Sequence, residues 1–392
     1  MQKWLTQRPW MVLAAGAVIQ LFAGIPAAWG VFQQSVEKEY RLSGADTSLI
    51  FAFTIAAFGV GCILGGLLQD RSTPRIACIL GGVLIGAGFV SAGLVPAENA
   101  LWLYLTFSLC VGTGCAFLYP AVMSCCQKWY AGKKGLATGV VGVSVGLSGA
   151  VLTVSGRWLT GNFGIRTCFI VLGGVLTVLC LLGAVVMVDP QERAAAPRQK
   201  KKDYTVLQML KTKQYWLMFV VVAAATPAVL LFSPIIVQYG QERGLPEEIA
   251  VLSIAIGSVF SAAGRLLCPL ASDRFGRRAV DMVLFAALAA LSVGFIFVQG
   301  WLVIACYSLL TFCYSGEAAL IPAITTDLYG MKYSGVNYGF LALGMSVGSV
   351  GFPLLLRALN AGEGLRHTVA IAAAAVGFLA LLPLKPTQSK KL

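Results

Sequence analysis

Only 11% of the 392 residues are charged, a single one is histidine, and no polar stretch outlasts residues 189–203. Each scarcity excludes something. One histidine, with neither a CxxC pair nor a His/Cys cluster near it, leaves no metal-ligand pattern and no cofactor to expect. His367 falls near the outer end of the last apolar run, where a surface position is its plainest reading. The sequence has no G-x-x-x-x-G-K-[ST] run, so nothing points to ATP hydrolysis, and no catalytic constellation points to an enzyme. Its polar segments are too short for a soluble output domain, which weighs against a signalling protein. Acidic residues are also few, 16 against 29 Lys and Arg, for a net charge of +13. Nucleic-acid binding is the rival reading of so basic a chain, but these charges sit in short scattered loops and form no continuous stripe.

What the chain has is apolar sequence: 58% hydrophobic residues and a mean hydropathy of +0.81. Runs of about 20 apolar residues suit a bilayer core of roughly 30 Å. Twelve are predicted, at 10–32, 48–68, 76–96, 101–124, 135–159, 167–188, 214–238, 249–271, 279–299, 301–327, 335–357 and 367–384. The fold class expected is therefore an all-α polytopic membrane protein. The first run follows a short basic segment, as a signal peptide would, but it is too long for a cleaved one and more spans follow. All eleven cysteines lie in or beside apolar runs, where the thiol serves as a small hydrophobe. An even number of spans puts both termini on one side. Lys and Arg crowd the termini and the even-to-odd loops, whereas the opposite loops and helix ends hold only Lys38, Arg41, Arg157, Arg166, Arg243, Arg357 and Arg366. That bias predicts an inner (plasma) membrane protein with both termini cytoplasmic.

The polar segment at 189–213 divides the chain into an N-terminal half, 1–188, and a C-terminal half, 214–392, of six spans each. The halves echo each other. Gly66-Leu67-Leu68-Gln69-Asp70-Arg71-Ser72-Thr73-Pro74-Arg75 after span 2 matches Pro269-Leu270-Ala271-Ser272-Asp273-Arg274-Phe275-Gly276-Arg277-Arg278 after span 8. Pro120, Tyr130, Gly135 and Gly139 match Pro322, Tyr329, Gly335 and Gly339 in the same order. Two ordered echoes argue for a duplicated six-helix unit. Along span 5, Gly135, Gly139, Gly142, Gly146 and Gly149 make one smooth face that a second helix can approach closely.

Arg265 stands inside the apolar run of span 8. A guanidinium at membrane depth is costly unless it faces protein, water or an anion, so it marks a functional site by default. Its planar, permanently charged fork pairs bidentately with a carboxylate. In span 10, Tyr307, Thr311, Tyr314 and Glu317 recur at helical spacing as one polar stripe. Glu317 falls at a depth similar to Arg265. The two are expected to pair when the site is empty, with Glu317 taking a proton when a substrate carboxylate arrives; a static structural ion pair is the competing reading. Gln20 and Ser346, near the centres of spans 1 and 11, are further candidates, with interhelical packing as their alternative.

The repeated Asp-Arg loops resemble the G-x-L-x-D-R-x-G-x-R signature of the major facilitator superfamily, with Thr73 and Pro269 standing at two of its glycine positions. The resemblance implies two six-helix halves that rock about a central site, with Asp70, Arg71, Arg75, Asp273, Arg274 and Arg277 forming gating loops between them. Ala28-Trp29-Gly30, Tyr119-Pro120, Gln127-Lys128-Trp129-Tyr130 through Gly139, Gly264-Arg265 and Asn337-Tyr338-Gly339 narrow it further. Together they resemble the oxalate:formate antiporter and monocarboxylate transporter branch. That resemblance makes Arg265 the carboxylate ligand and Trp29 and Tyr119 cavity aromatics, an interfacial anchor being the other reading of Trp29. Three departures from the branch stand out: Met345 where the antiporter has a second cation, Ala27 in place of its tyrosine, and Glu317 where a small residue is usual. One cation suits one carboxylate. The function expected is secondary transport of a small organic monocarboxylate, possible as a monomer and coupled to H⁺ through Glu317. A drug or neutral-solute exporter of the same fold, or a transporter-like sensor, is the alternative.

Overall fold

The computed structural model describes residues 8–130, 134–190, 203–330, 333–360 and 362–384, and the side chains of all of these except 27, 70, 71, 134 and 135. The described residues are helical almost throughout. Helix α1 runs over 9–40 as two α-helical pieces, Pro9–Ala23 and Trp29–Tyr40, joined by a 3-10 turn at Ile25–Ala28. Then follow α2 (Gly44–Arg71), α3 (Pro74–Leu94) and α4 (Ala100–Trp129). A continuous stretch, Lys134–Val186, has 53 residues and a break at Gly164, whose φ of 77° is open to glycine and strained for other residues. At 1.5 Å per residue one bilayer crossing needs about 20 residues, so the stretch is two helices, α5 (134–163) and α6 (165–186). The second half repeats the order: α7 (Lys213–Glu242), α8 (Glu247–Phe275), α9 (Arg277–Gly294), α10 (Trp301–Tyr329), α11 (Ser334–Ala358) and α12 (Glu363–Leu381).

Nine stretches among the described residues are long and apolar enough to cross a membrane, the α5–α6 stretch counting once. The apolar piece Pro9–Ala23 of α1 falls short in length. Helix α9, of 18 residues, opens with Arg277, Arg278 and Asp281, charges that keep it out of that set. Among the described residues these elements make twelve rods, consistent with the twelve apolar runs predicted. The first rod differs from expectation by continuing past residue 32 to Tyr40, where Arg41 at φ 53° ends it. Its polar last turns are held by protein: Tyr40 donates to the Ala92 carbonyl at 2.6 Å, and Gln33 donates to Glu37 at 3.0 Å.

Two helices are broken at corresponding places in the two halves. In α1 the break is Gly24 to Ala28, with Pro26 in the turn; in α7 it lies between Thr226 and Ile235, with Pro227 and Pro234. Proline removes a donor from the ladder at each site.

Helices α2 and α11, and α5 and α8, form the seams between the halves. Ser346 and Ser349 of α11 donate to the Ala56 and Ala52 carbonyls of α2 at 2.8 and 3.2 Å. Across the other seam, Gly146 of α5 lies against the backbone of Ala262, so that a methyl group there would overlap Ala262 Cα. The glycine face of α5 thus brings α8 in close, and Gly142 sits beside Arg265, a methyl on it lying 3.5 Å from Arg265 Cβ.

His367 is not a surface residue: it is 3% exposed, 3.2 Å from the Tyr239 hydroxyl and 3.5 Å from Glu363. The ring is drawn inward by Phe232 and Phe295, whose ring centroids lie 4.8 and 5.9 Å away. At the other end of the C-terminal half, Tyr204 N donates to the Tyr329 carbonyl at 2.9 Å and Asn337 donates to the Tyr204 carbonyl at 3.0 Å, so the last part of the polar 189–213 segment docks on α10 and α11.

A side chain forced into the α5–α8 seam should cost roughly 1–3 kcal/mol, the usual penalty for overpacking. Gly146→Val is expected to lower the thermal midpoint of the detergent-purified protein by several degrees, whereas Gly161→Ala, with nothing within 4 Å of the new methyl, leaves it unmoved; differential scanning fluorimetry reads both.

Candidate functional site

A central cavity of about 160 Å³, measured at water centres, lies between the halves. That is room for several waters or one small solute. The two helix breaks form part of its wall: Gly24 and Pro26 from α1, and Val229, Leu230 and Ser233 from α7. Phe51, Ile55 and Phe58 of α2 add an apolar face. Aromatic hydroxyls complete the wall, Tyr119 from α4, Tyr307 and Tyr314 from α10 and Tyr338 from α11. The Tyr119 and Tyr338 rings meet across the halves with centroids 6.5 Å apart, and Phe58 packs edge-on to Tyr119 at 6.3 Å.

Arg265 is the one charged side chain among the described residues of this wall. Its Nε is buried without a hydrogen-bond partner, and Nε2 of Gln20, 2% exposed on the opposite half, is likewise unpartnered. Arg265 and Gln20 thus line one cavity from different halves. Ser261 and Ser315 are hydrogen-bonded to each other at 2.7 Å in the same wall, fixing α8 against α10. Between walls of protein the effective dielectric is below that of bulk water, so the field of the guanidinium is weakly screened here. The arrangement can receive one anionic head and enclose a small, largely apolar body.

Of the residues singled out from sequence, Gln20, Tyr119, Arg265, Tyr307 and Tyr314 come together at the cavity, with Met345 beside them. Trp29 does not. It follows the 3-10 turn, which rotates it into the N-terminal core against Phe107 at a centroid distance of 5.1 Å; it is 2% exposed. Ser346 points into the α2–α11 seam, where its hydroxyl is engaged by the Ala56 carbonyl. Glu317 is 1% exposed and stands behind the cavity wall. The expected ion pair with Arg265 is not made: Arg265 lines the cavity, whereas Glu317 does not and lies buried on α10, one residue beyond the Gly316 that meets Cys268 of α8. Tyr338 and Ser261 were missed because neither is unusual in an apolar run. The paired helix breaks are the sequence signal that could have found the cavity, since interrupted helices at matching places in two repeats border transporter sites.

The loops expected to latch the halves mostly bind within their own half. Arg75 donates to the Ala184 and Val185 carbonyls at the end of α6, 3.2 and 2.6 Å away. Arg278 donates to those of Leu381 and Leu382 at the end of α12. Arg278, rather than Arg277, is therefore the structural counterpart of Arg75. Arg277 bridges Asp273 at 2.9 Å and Asp327 at 3.4 Å, and Arg274 lies over the Phe275 ring at 5.5 Å. The side chains of Asp70 and Arg71 lie outside the described residues. At the end of the molecule away from the termini, polar contacts do join the halves: Asp46 with Arg357 at 3.3 Å, Arg157 with Glu247 at 3.6 Å, and Gln34 with Gln241 at 3.4 Å.

These exposed pairs are each worth about 0.2–1 kcal/mol, enough to bias an opening equilibrium without locking it. Asp46→Asn combined with Glu247→Gln is expected to raise amide hydrogen exchange at the adjoining ends of α2 and α8 by up to about tenfold, the shift that 1.4 kcal/mol corresponds to; exchange at the far ends of the same helices is the internal control.

Relatives of this chain are transporters. It is 26% identical over 363 residues to the oxalate:formate antiporter of Oxalobacter formigenes, a match covering 87% of this chain and 82% of that one. It is 27% identical over 267 residues to monocarboxylate transporter 3 of Rattus norvegicus, covering 66% and 54%, and 28% identical over 193 residues to human monocarboxylate transporter 6, covering 49% and 37%. The crystal structure of a D-xylose-proton symporter superposes with a TM-score of 0.71 at 13% identity, over 98% of this chain and 99% of that one. The Major Facilitator Superfamily model matches residues 12–353, and the protein is thus a member of that superfamily of membrane transporters.

Proposed function

We propose that the protein is a secondary active transporter of a small organic monocarboxylate, which it carries by alternating access around Arg265. One observation carries the reading: among the described residues the central cavity is bordered by a single charge, Arg265, whose Nε has no hydrogen-bond partner. A carboxylate pairing with a guanidinium forms hydrogen bonds worth about 1.5–3 kcal/mol each beyond those to water. The tyrosine hydroxyls and Gln20 supply further donors, and the phenylalanines of α2 accept an apolar tail. A dicarboxylate such as oxalate would leave its second charge facing Met345, with no cation to receive it. Relatives carry names that include oxalate, formate and monocarboxylates, which agrees with this choice of substrate class. On this reading the gating loops and the polar contacts at the opposite end exchange partners as the halves, 1–188 and 214–392, rock about the 189–213 linker. The end bearing the termini faces the cytoplasm, in keeping with its Lys and Arg, and the protein sits in the inner (plasma) membrane. Glu317 couples the cycle to H⁺. Arriving carboxylate cancels the positive field of Arg265 that favours an ionised Glu317, so the acid takes up a proton as substrate binds.

Uptake of labelled formate, acetate, lactate, pyruvate and oxalate into proteoliposomes tests this. Arg265→Gln is expected to lower uptake of the preferred monocarboxylate at least 100-fold, and Arg265→Lys to restore a small part of it, because a point charge lacks the bidentate fork. Uptake indifferent to Arg265→Gln, or of neutral solutes alone, would instead favour the exporter reading. Met345→Lys, by adding a second cation to the wall, is expected to shift preference toward oxalate at least tenfold in the same assay.

A further inference from the structure

Asp281 of α9 is 0% exposed, and neither of its carboxylate oxygens has a hydrogen-bond partner. Glu317 of α10, 1% exposed, has an unpartnered Oε1. The two belong to one packed interior. Gly316, next to Glu317, lies against Cys268 of α8, and a methyl on it would lie 3.4 Å from Leu284 Cδ1 of α9. Leu284 is one turn from Asp281 on the same helix, so the residues share a face.

We propose that Asp281 and Glu317 form a proton-holding carboxyl pair, loaded from the end of the molecule that bears the termini, which couples carboxylate passage at Arg265 to H⁺. The inference rests on the transport reading above and adds to it a second acid and a route.

The cations nearest Asp281 in sequence are already engaged. Arg277 holds Asp273 and Asp327, and Arg278 holds the carbonyls that end α12. The titratable groups that face the pair from its neighbours are Arg265 and Cys268 on α8, Tyr314 on α10 and Tyr338 on α11. Arg265 is the one cation of that group, and it is turned to the cavity. A buried carboxylate without cation or hydrogen bonds costs several kcal/mol, and two that share a site do not both stay ionised. The pair therefore retains a proton, and an acid kept only for structure would be expected to have a bonded partner.

Their order in space suits a relay. Asp281 lies in the second turn of α9, close to the end bearing the termini; Glu317 comes next; Tyr314, one turn from Glu317, borders the cavity. One proton enters from water, is held on a carboxyl oxygen while substrate neutralises Arg265, and returns to water when the substrate leaves. Charge and proton count balance with no other reactant.

The test uses liposomes bearing the wild type, Asp281→Asn or Glu317→Gln, with the monocarboxylate that the wild type carries. Uptake driven by a pH gradient is divided by substrate exchange at equal pH on both sides. Each variant is expected to lower that ratio at least tenfold. A wild-type ratio in Asp281→Asn together with a lowered ratio in Glu317→Gln would overturn the pair and leave Glu317 as sole carrier; wild-type ratios in both would remove the coupling role of Glu317 as well, with Arg265 untouched. Should Asp281→Asn not fold, or no monocarboxylate be carried, the wild type is treated with dicyclohexylcarbodiimide, which modifies protonated carboxyls in apolar surroundings, and its peptides are weighed. Adducts on Asp281 and Glu317 that fade as pH rises from 6 to 9 support the pair; unmodified Asp281 at pH 6 overturns it.

Discussion

A guanidinium with no ion-pair partner among the described residues, in the wall of the central cavity, is the constraint around which this molecule is arranged. Arg265 cannot be displaced toward a phospholipid head group, because α8 is pressed on one side by the glycine face of α5 and on the other by α10, where Gly264 meets the backbone at Phe312 and Gly316. The Ser261–Ser315 hydrogen bond fixes the same contact. The helix breaks in α1 and α7 then open space in front of it. A continuous helix at Gly24 or Pro227 would fill that space with regular backbone and leave the charge facing protein alone.

The two halves line the cavity with different chemistry despite the echoes between their sequences. The N-terminal half contributes Phe51, Ile55, Phe58, Tyr119 and Gln20, a wall of apolar and neutral polar groups. Its interior is a cluster of Trp29, Phe89, Phe107 and Phe169 rings. Charge at depth belongs to the C-terminal half, in Arg265, Asp281 and Glu317. On the proposed reading one half shapes the substrate's body while the other senses its charge, and their relative motion brings the two functions together or parts them. The exposed pairs between halves suit that motion, since screened ion pairs are weak enough to break and reform.

Much of this was legible before any coordinates. Runs of apolar residues set the number of helices, the paired Asp-Arg loops pointed to the superfamily, and Arg265 stood out because a cation in lipid needs a reason. Rotation about a helix axis was less accessible. Trp29 and Ser346 have the right chemistry and depth for a site, yet a short 3-10 turn carries the first into the core and the opposing Ala56 carbonyl engages the second. His367 sits at a helix end and is nonetheless buried, because Tyr239 and Phe295 from other helices close over it. Asp281 escaped notice for a related reason: it falls at the edge of the ninth predicted run, 279–299, beside Arg277 and Arg278, and only the packing of α8, α9 and α10 shows it turned inward. In each case the deciding contact comes from a residue far away in the chain, which local pattern does not report.

Binding at equilibrium, free of any question of flux or coupling, reaches the central claim most directly. Purified protein would be titrated with the labelled monocarboxylate and then challenged with the unlabelled acid or with its uncharged amide, which has nearly the same shape. If Arg265 holds the carboxylate, the acid displaces the label and the amide does so at least 100-fold less well, a difference that disappears in Arg265→Gln. Equal displacement by acid and amide in the wild type would contradict the account, because the cavity would then be reading shape and leaving the charge of Arg265 unused.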